Sequence, residues 1–171
     1  MRSSPAHWVR FFLLLVLSAA LFGCAPATPT ANPNLTWAVS LSKYDVKSKL
    51  EAVVTVKQYT GSTDELHHQY PNDGDVFVIL NLTINKQGTA QAAFDWSQLT
   101  VQDSSGKSYP RVANDSYLET YSYTPRLTGL PLQVGSHQGW VCYELPEQAA
   151  NGALTLVYSG EGSQQEITVK K

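Results

Sequence analysis

Few residues in this chain are placed where their chemistry could matter. Cys24 is the first of only two cysteines in 171 residues. It follows Leu21-Phe22-Gly23 at the end of an apolar run. A small residue before the cysteine suits peptide cleavage, and a thiol there suits acylation. Cys142 lies in Trp-Val-Cys-Tyr-Glu, with no cation nearby in the sequence to lower its pKa, so a small buried strand residue is expected. With Cys24 otherwise engaged, no disulfide is expected. His67 and His68, with Asp64, Glu65, Asp73 and Asp75, have metal-ligand character. Adjacent side chains in an extended segment point to opposite sides, however, and no His-x-x-x-His spacing occurs. They are weak candidates, and no metal or cofactor is expected. Asn72-Asp73-Gly74-Asp75 opens like a calcium loop, but apolar Val76 to Leu80 occupies the positions where further ligands belong.

Gly106-Lys107-Ser108 has the end of a phosphate-binding loop without its beginning, because Val101 stands where the first glycine belongs and Tyr109-Pro110 replaces the helix. Ser136-His137 are neighbours in sequence, whereas a nucleophile and its base must converge in space with a third orienting group. No catalytic constellation emerges, and an enzyme is not expected. Tyr117, Tyr121 and Tyr123, near Arg111 and Arg126, form the best candidate recognition surface. Tyrosine offers a rigid apolar body with a polar tip, suited to peptides or sugars. The competing reading is that these rings pack on the edge of the fold.

The elements that position these residues follow from patterning. Arg2 and Arg10 precede the apolar run Phe11–Phe22, which is shorter than the roughly 20 residues a bilayer span needs. That combination is a signal peptide, residues 1–23. The ending Leu21-Phe22-Gly23-Cys24 resembles the bacterial lipobox, with Phe22 bulkier than usual at its position. The resemblance implies cleavage between Gly23 and Cys24 and acyl chains, palmitate among them, on Cys24. Several chains together hold a protein on a membrane where one does so only marginally. Residues 24–34 are rich in Pro, Thr and Ala, cannot build a core, and read as an extended tether of about 30 Å. The expected location is the extracytoplasmic face of a bacterial cell membrane. Asn34, Asn81 and Asn114 also match the glycosylation triplet of eukaryotic secretion, a pattern frequent by chance in an Asn- and Thr-rich chain.

From residue 35 to 171 the period is two. Strands are expected at Trp37–Leu41, at Leu50–Val56, at Asp75–Asn85 and on both sides of a turn at Asp103–Lys107. More are expected at Trp140–Leu145, around Leu154–Tyr158 and at Ile167–Val169. Thr60–Gly74 reads as a long polar connection with one helical turn around Glu65-Leu66-His67. Leu130–Gly135 reads as a capping loop. Phe94 and Trp96 are out of phase with Leu99 and Val101, which predicts a bulge or corner between them. Charge is low (15%), with 12 basic and 14 acidic residues and no basic patch, which argues against nucleic acid. About eight short strands without an amphipathic helix predict an all-β fold, an immunoglobulin-like antiparallel β-sandwich.

Three segments carry a family resemblance: Gly74–Asn85, Leu99-x-Val101-x-Asp103-x-x-Gly106-x-x-Tyr109, and Leu132-Gln-Val-Gly135 with Gly139–Pro146. In this order they resemble the telokin-like, immunoglobulin-fold domain of unknown function found in many bacterial surface lipoproteins. Val134 and Tyr143 stand where that family usually has Pro and Phe. The resemblance spans residues 35–170, implies fold and surface location, and transfers no catalytic residue. The expected function is a lipid-anchored module contacting an envelope protein or polymer; the alternative is a small-ligand or metal-binding lipoprotein.

Overall fold

The computed structural model describes residues 36–87, 93–128, 135–160 and 163–171. The signal peptide, Gly23, Cys24, the tether and most of the capping loop before Gly135 lie outside these residues.

The strands are β1 (Trp37–Lys47), β2 (Leu50–Gln58), β3 (Gly61–Gln69), β4 (Asp75–Lys86), β5 (Leu99–Asp103), β6 (Ser108–Pro110), β7 (Gly135–Pro146), β8 (Leu154–Gly160) and β9 (Ser163–Lys170). One sheet runs β1-β4-β7 and the other β6-β5-β8-β9. All strand pairs are antiparallel, and β2 and β3 form a separate hairpin.

The period-two pattern of β4 explains the packing. Val76, Val78, Leu80, Leu82 and Ile84 share one face and meet Leu99, Val101, Leu154, Leu156 and Tyr158 of the facing sheet. Each such aliphatic side chain contributes about 1.5–3 kcal/mol on burial. Phe94 is seated among three other rings: edge-on to Trp37 at 5.2 Å and Trp96 at 4.9 Å, and stacked on Tyr158 at 5.4 Å. The opposite face of β4 begins apolar with buried Phe77 and Ile79 and turns polar at Asn81. The Nε2 of Gln138 donates to Asn81 Oδ1 at 2.8 Å, so this asparagine is spent inside the sheet. β4 is thus a central strand buried on one side and half covered on the other, as its sequence predicts.

The sheets are also tied by polar contacts. Tyr143 Oη donates to Leu99 O at 3.4 Å. Gln165 of β9 accepts from Val39 N at 3.1 Å and donates to Trp37 O at 2.9 Å, filling backbone positions on the outer edge of β1.

Three details correct or sharpen the expectations. Thr60–Gly74 is not a connection with a helical turn, because Gly61–Gln69 is strand β3, paired along its length with β2. Neither face of β3 packs into a core, so its side chains follow no hydrophobic alternation. The phase slip before β5 is a 3-10 turn at Trp96–Gln98, whose first N–H groups are met by Asp95: Ser97 N donates to Asp95 Oδ1 at 2.9 Å. Pro146 ends β7 as expected, but it also starts a short helix, α1 (Glu147–Asn151). Lys170 Nζ donates to the carbonyls of Ala150 and Asn151 at 3.1 Å each, placing a cation at the helix C-terminus.

Candidate functional site

The tyrosine-rich segment is an excursion from the outer edge of β7. Its first end is attached where Val112 N donates to Cys142 O at 2.8 Å. Its second end is attached where Leu127 N donates to Trp140 O at 3.0 Å and Trp140 N to Pro125 O at 2.9 Å. This contact is close because residue 139 is glycine: a Cβ there would stand 2.7 Å from Pro125 O and 2.9 Å from Leu127 N.

Asp115 ties the two ends together. It is 1% exposed. Arg111, from the first end, donates Nε to Asp115 Oδ2 at 3.0 Å and Nη2 to Oδ1 at 3.1 Å. Arg126, from the second, donates Nη1 to Oδ1 at 2.9 Å. Arg111 Nη2 also donates to Leu127 O at 2.7 Å, and its guanidinium lies 4.0 Å from the centre of the Trp96 ring. A planar fork over an indole and into a carboxylate is a geometry lysine does not reproduce. Glu119 stands 3.8 Å from Arg126 Nε. Trp96, Arg111, Asp115 and Arg126 line a hollow of about 420 Å³. Trp96 Nε1 and Arg126 Nε are buried beside it without a hydrogen-bond partner among the described residues. The arginines of the predicted recognition surface are therefore engaged in holding the excursion closed.

The three tyrosines divide. Tyr117 lies over the second core of Leu50, Phe77, Ile79, Leu118 and Cys142. Its hydroxyl donates to Cys142 Sγ at 3.5 Å. Burial pushes the Cys142 thiol up to about 12, against the smaller opposing effect of the Tyr117 hydroxyl. A protonated, inaccessible thiol is neither a nucleophile nor a ligand. Tyr123 packs edge-on against Trp140 at 5.0 Å, and burial, then the nearby Asp45 carboxylate, raises its hydroxyl. Tyr121 and Tyr123 line a second hollow of about 470 Å³ with Lys47, Lys49 and Glu51. Two half-exposed phenols thus face a mixed-charge rim.

The other candidates separate spatially. His67 and His68 lie on β3, where His67 Nε2 is 3.5 Å from Glu65 Oε2 and His68 Nδ1 is 3.2 Å from Glu51 Oε1. Among the described residues no group of three or more His, Cys, Asp and Glu side chains could hold a metal ion. Gly106-Lys107-Ser108 belongs to the β5–β6 turn. There Asp103 Oδ1 accepts from Ser105 N at 2.8 Å, Ser105 Oγ at 2.6 Å and Lys107 N at 3.1 Å, leaving no cradle for a phosphate. Hydrogen bonds from Ser105, then Tyr109 and the backbone, hold the Asp103 carboxyl down to about 2. Ser136 and His137 are successive residues of β7, with side chains on opposite faces. The residues missed by sequence reasoning are Asp115 and Trp96. The Arg-x-x-x-Asp spacing carried a signal for Asp115, but its burial depends on β7.

An antiparallel β-sandwich with a clasped excursion defines a structural class rather than an activity. The family model described as "Domain of unknown function (DUF4352)" matches residues 45–167, and the chain belongs to that family. A conserved hypothetical protein from Bacillus anthracis, solved by crystallography, is similar in fold, with a TM-score of 0.53 and 16% identity over 80% of this chain and 89% of the other. An uncharacterised β-sandwich protein from Clostridium difficile aligns at a TM-score of 0.44 and 12% identity, over 79% of this chain and 86% of its own. No curated protein matches.

Proposed function

We propose that this chain is a lipid-anchored, non-enzymatic, immunoglobulin-like module on the extracytoplasmic face of a bacterial membrane, where it contacts another envelope protein or polymer. The anchoring half of this reading is supported by the sequence Leu21-Phe22-Gly23-Cys24 and the Pro-rich tether that follows. The recognition half rests on one observation: Tyr121 and Tyr123 face the hollow rimmed by Lys47, Lys49 and Glu51. Rigid phenols beside both signs of charge suit a polar peptide or glycan. Arg111 and Arg126 act here by holding the excursion that carries these rings.

The test is a crosslinking pull-down from intact cells with the full chain, its Tyr121→Ala/Tyr123→Ala variant and Cys24→Ala. The tyrosine variant should remain on the membrane and lose its captured partner. Cys24→Ala should lose lipid labelling and membrane partitioning. Unchanged capture by the tyrosine variant removes that surface from consideration, and normal lipid labelling of Cys24→Ala overturns the anchor.

A further inference from the structure

Two outer edges of the sandwich carry backbone contacts over part of their length. Gln165 occupies the outer edge of β1, and the residue 111 and 126 bridges occupy that of β7. β2 and β3 pair only with each other among the described residues, over nine residues each. They also display apolar side chains to solvent: Val53 is 68% exposed and its cross-strand neighbour Leu66 is 59% exposed. An isolated two-stranded hairpin is marginal in water, and an uncovered edge is a template for another strand.

The charges along β2 select the occupant. In antiparallel pairing, residues directly opposite share a face, so a two-fold axis through a residue pairs positions equidistant from it. Centred on Val54, two β2 strands set Glu51 opposite Lys57 of the second copy, and Lys57 opposite its Glu51. Val53 then faces Thr55, Ala52 faces Val56, and Val54 faces itself. Shifting the axis to Val53 sets Lys49 against Lys57, and shifting it to Thr55 removes the charge pairs. On β3, an axis through Glu65 opposes like charges, and an axis through Leu66 offers only histidines as partners for Asp64 and Glu65. Glu51 is already held by Lys49 Nζ at 2.8 Å and by His68, which fixes its carboxylate at the strand edge.

We propose that β2 pairs with β2 of a second copy of this chain about a two-fold axis at Val54, giving a continuous four-stranded sheet β3-β2-β2-β3. The interface is isologous, so it closes at the dimer. Backbone hydrogen bonds supply the attraction and the two Glu51–Lys57 pairs fix the register. The pairing shares Glu51 with the rim of the Tyr121/Tyr123 hollow but does not use the tyrosines and does not rest on their role in recognition.

The test is thiol crosslinking of the full chain in membranes, with the unsubstituted chain as the baseline for Cys24 and Cys142. Val54→Cys should give a crosslinked dimer well above that baseline. Adding Lys57→Glu should lower its yield roughly tenfold, since like charges then oppose at both symmetric positions. Adding Glu51→Lys to that variant should restore it. Absence of the Val54→Cys dimer, or a dimer insensitive to Lys57→Glu, overturns the proposal. Preferential crosslinking through Leu66→Cys also overturns it, in favour of the β3 edge. Light scattering of the detergent-solubilised chain without added cysteines gives an independent readout: dimeric mass is expected, weakened by Lys57→Glu, and a monomer at all concentrations refutes the pairing.

Discussion

At the scale of single residues, Asp115 has the largest expected effect. It is buried, and two guanidinium groups converge on it. Removing one member of such a set leaves buried charge uncompensated, at a cost of about 3–5 kcal/mol. Asp115→Ala should therefore lose about that much in denaturant unfolding, and Arg111→Lys should recover only part of the clasp because ammonium lacks the planar fork. Cys142 makes a prediction in pH. Its thiol is raised to about 12 in the fold by burial, from about 8.5 in an unfolded chain. A raised acid favours its protonated, folded form, so the contribution is complete below about pH 8.5 and is lost as pH climbs toward about 12. Tyr117, Tyr123 and Tyr143 are raised too and add alkaline sensitivity at the upper end of that window. The difference between the unfolding curves of the native chain and Cys142→Ala isolates the thiol: the gap should narrow between pH 8.5 and 12. A thiol reagent at neutral pH should label Cys142 only after denaturation.

Among elements, β7 carries the site. Its residues support the main core through Val141, Tyr143 and Leu145, the second core through Cys142, and the excursion through Trp140 and Gly139. Gly139→Ala would drive a methyl into backbone atoms of Pro125 and Leu127. Backbone cannot swing aside as a flexible side chain can, so residues 125–127 must move off the strand. We expect a loss of about 1–3 kcal/mol in chemical denaturation. The other core-building strands were legible because burial imposes alternation: one face of β4 could be read from Val76 to Ile84, and its polar second half marked where cover ends. β3 was not legible for the complementary reason, since a strand with no buried face carries no period. The 3-10 turn at Trp96–Gln98 and the helix α1 are too short to show a helical stripe.

Considered as a whole, the chain divides into what adjacency in sequence could reveal and what only convergence in space could. The β5–β6 turn was readable because Asp103, Ser105, Gly106 and Lys107 interact within a few positions. The Arg111–Asp115–Arg126 clasp was half readable, because both arginines stood out but their shared carboxylate did not. The hollow between Tyr121 and Lys47 joins segments far apart in sequence, and no local pattern announces such a meeting. Tyr117 looked like a recognition residue for the same reason that it packs: a phenol serves a core and a surface equally well.

The Gln165 side chain, bonded to the backbone of Val39 and Trp37, bridges separations of 126 and 128 residues. Contacts of that range are completed only after nearly the whole domain has been delivered, and they place the fold among those whose formation is slowed by non-local closure. A chain emerging amino end first therefore holds its first strand without its last partner throughout delivery. The uncovered edge of β1 is then a further edge in need of protection from its neighbours.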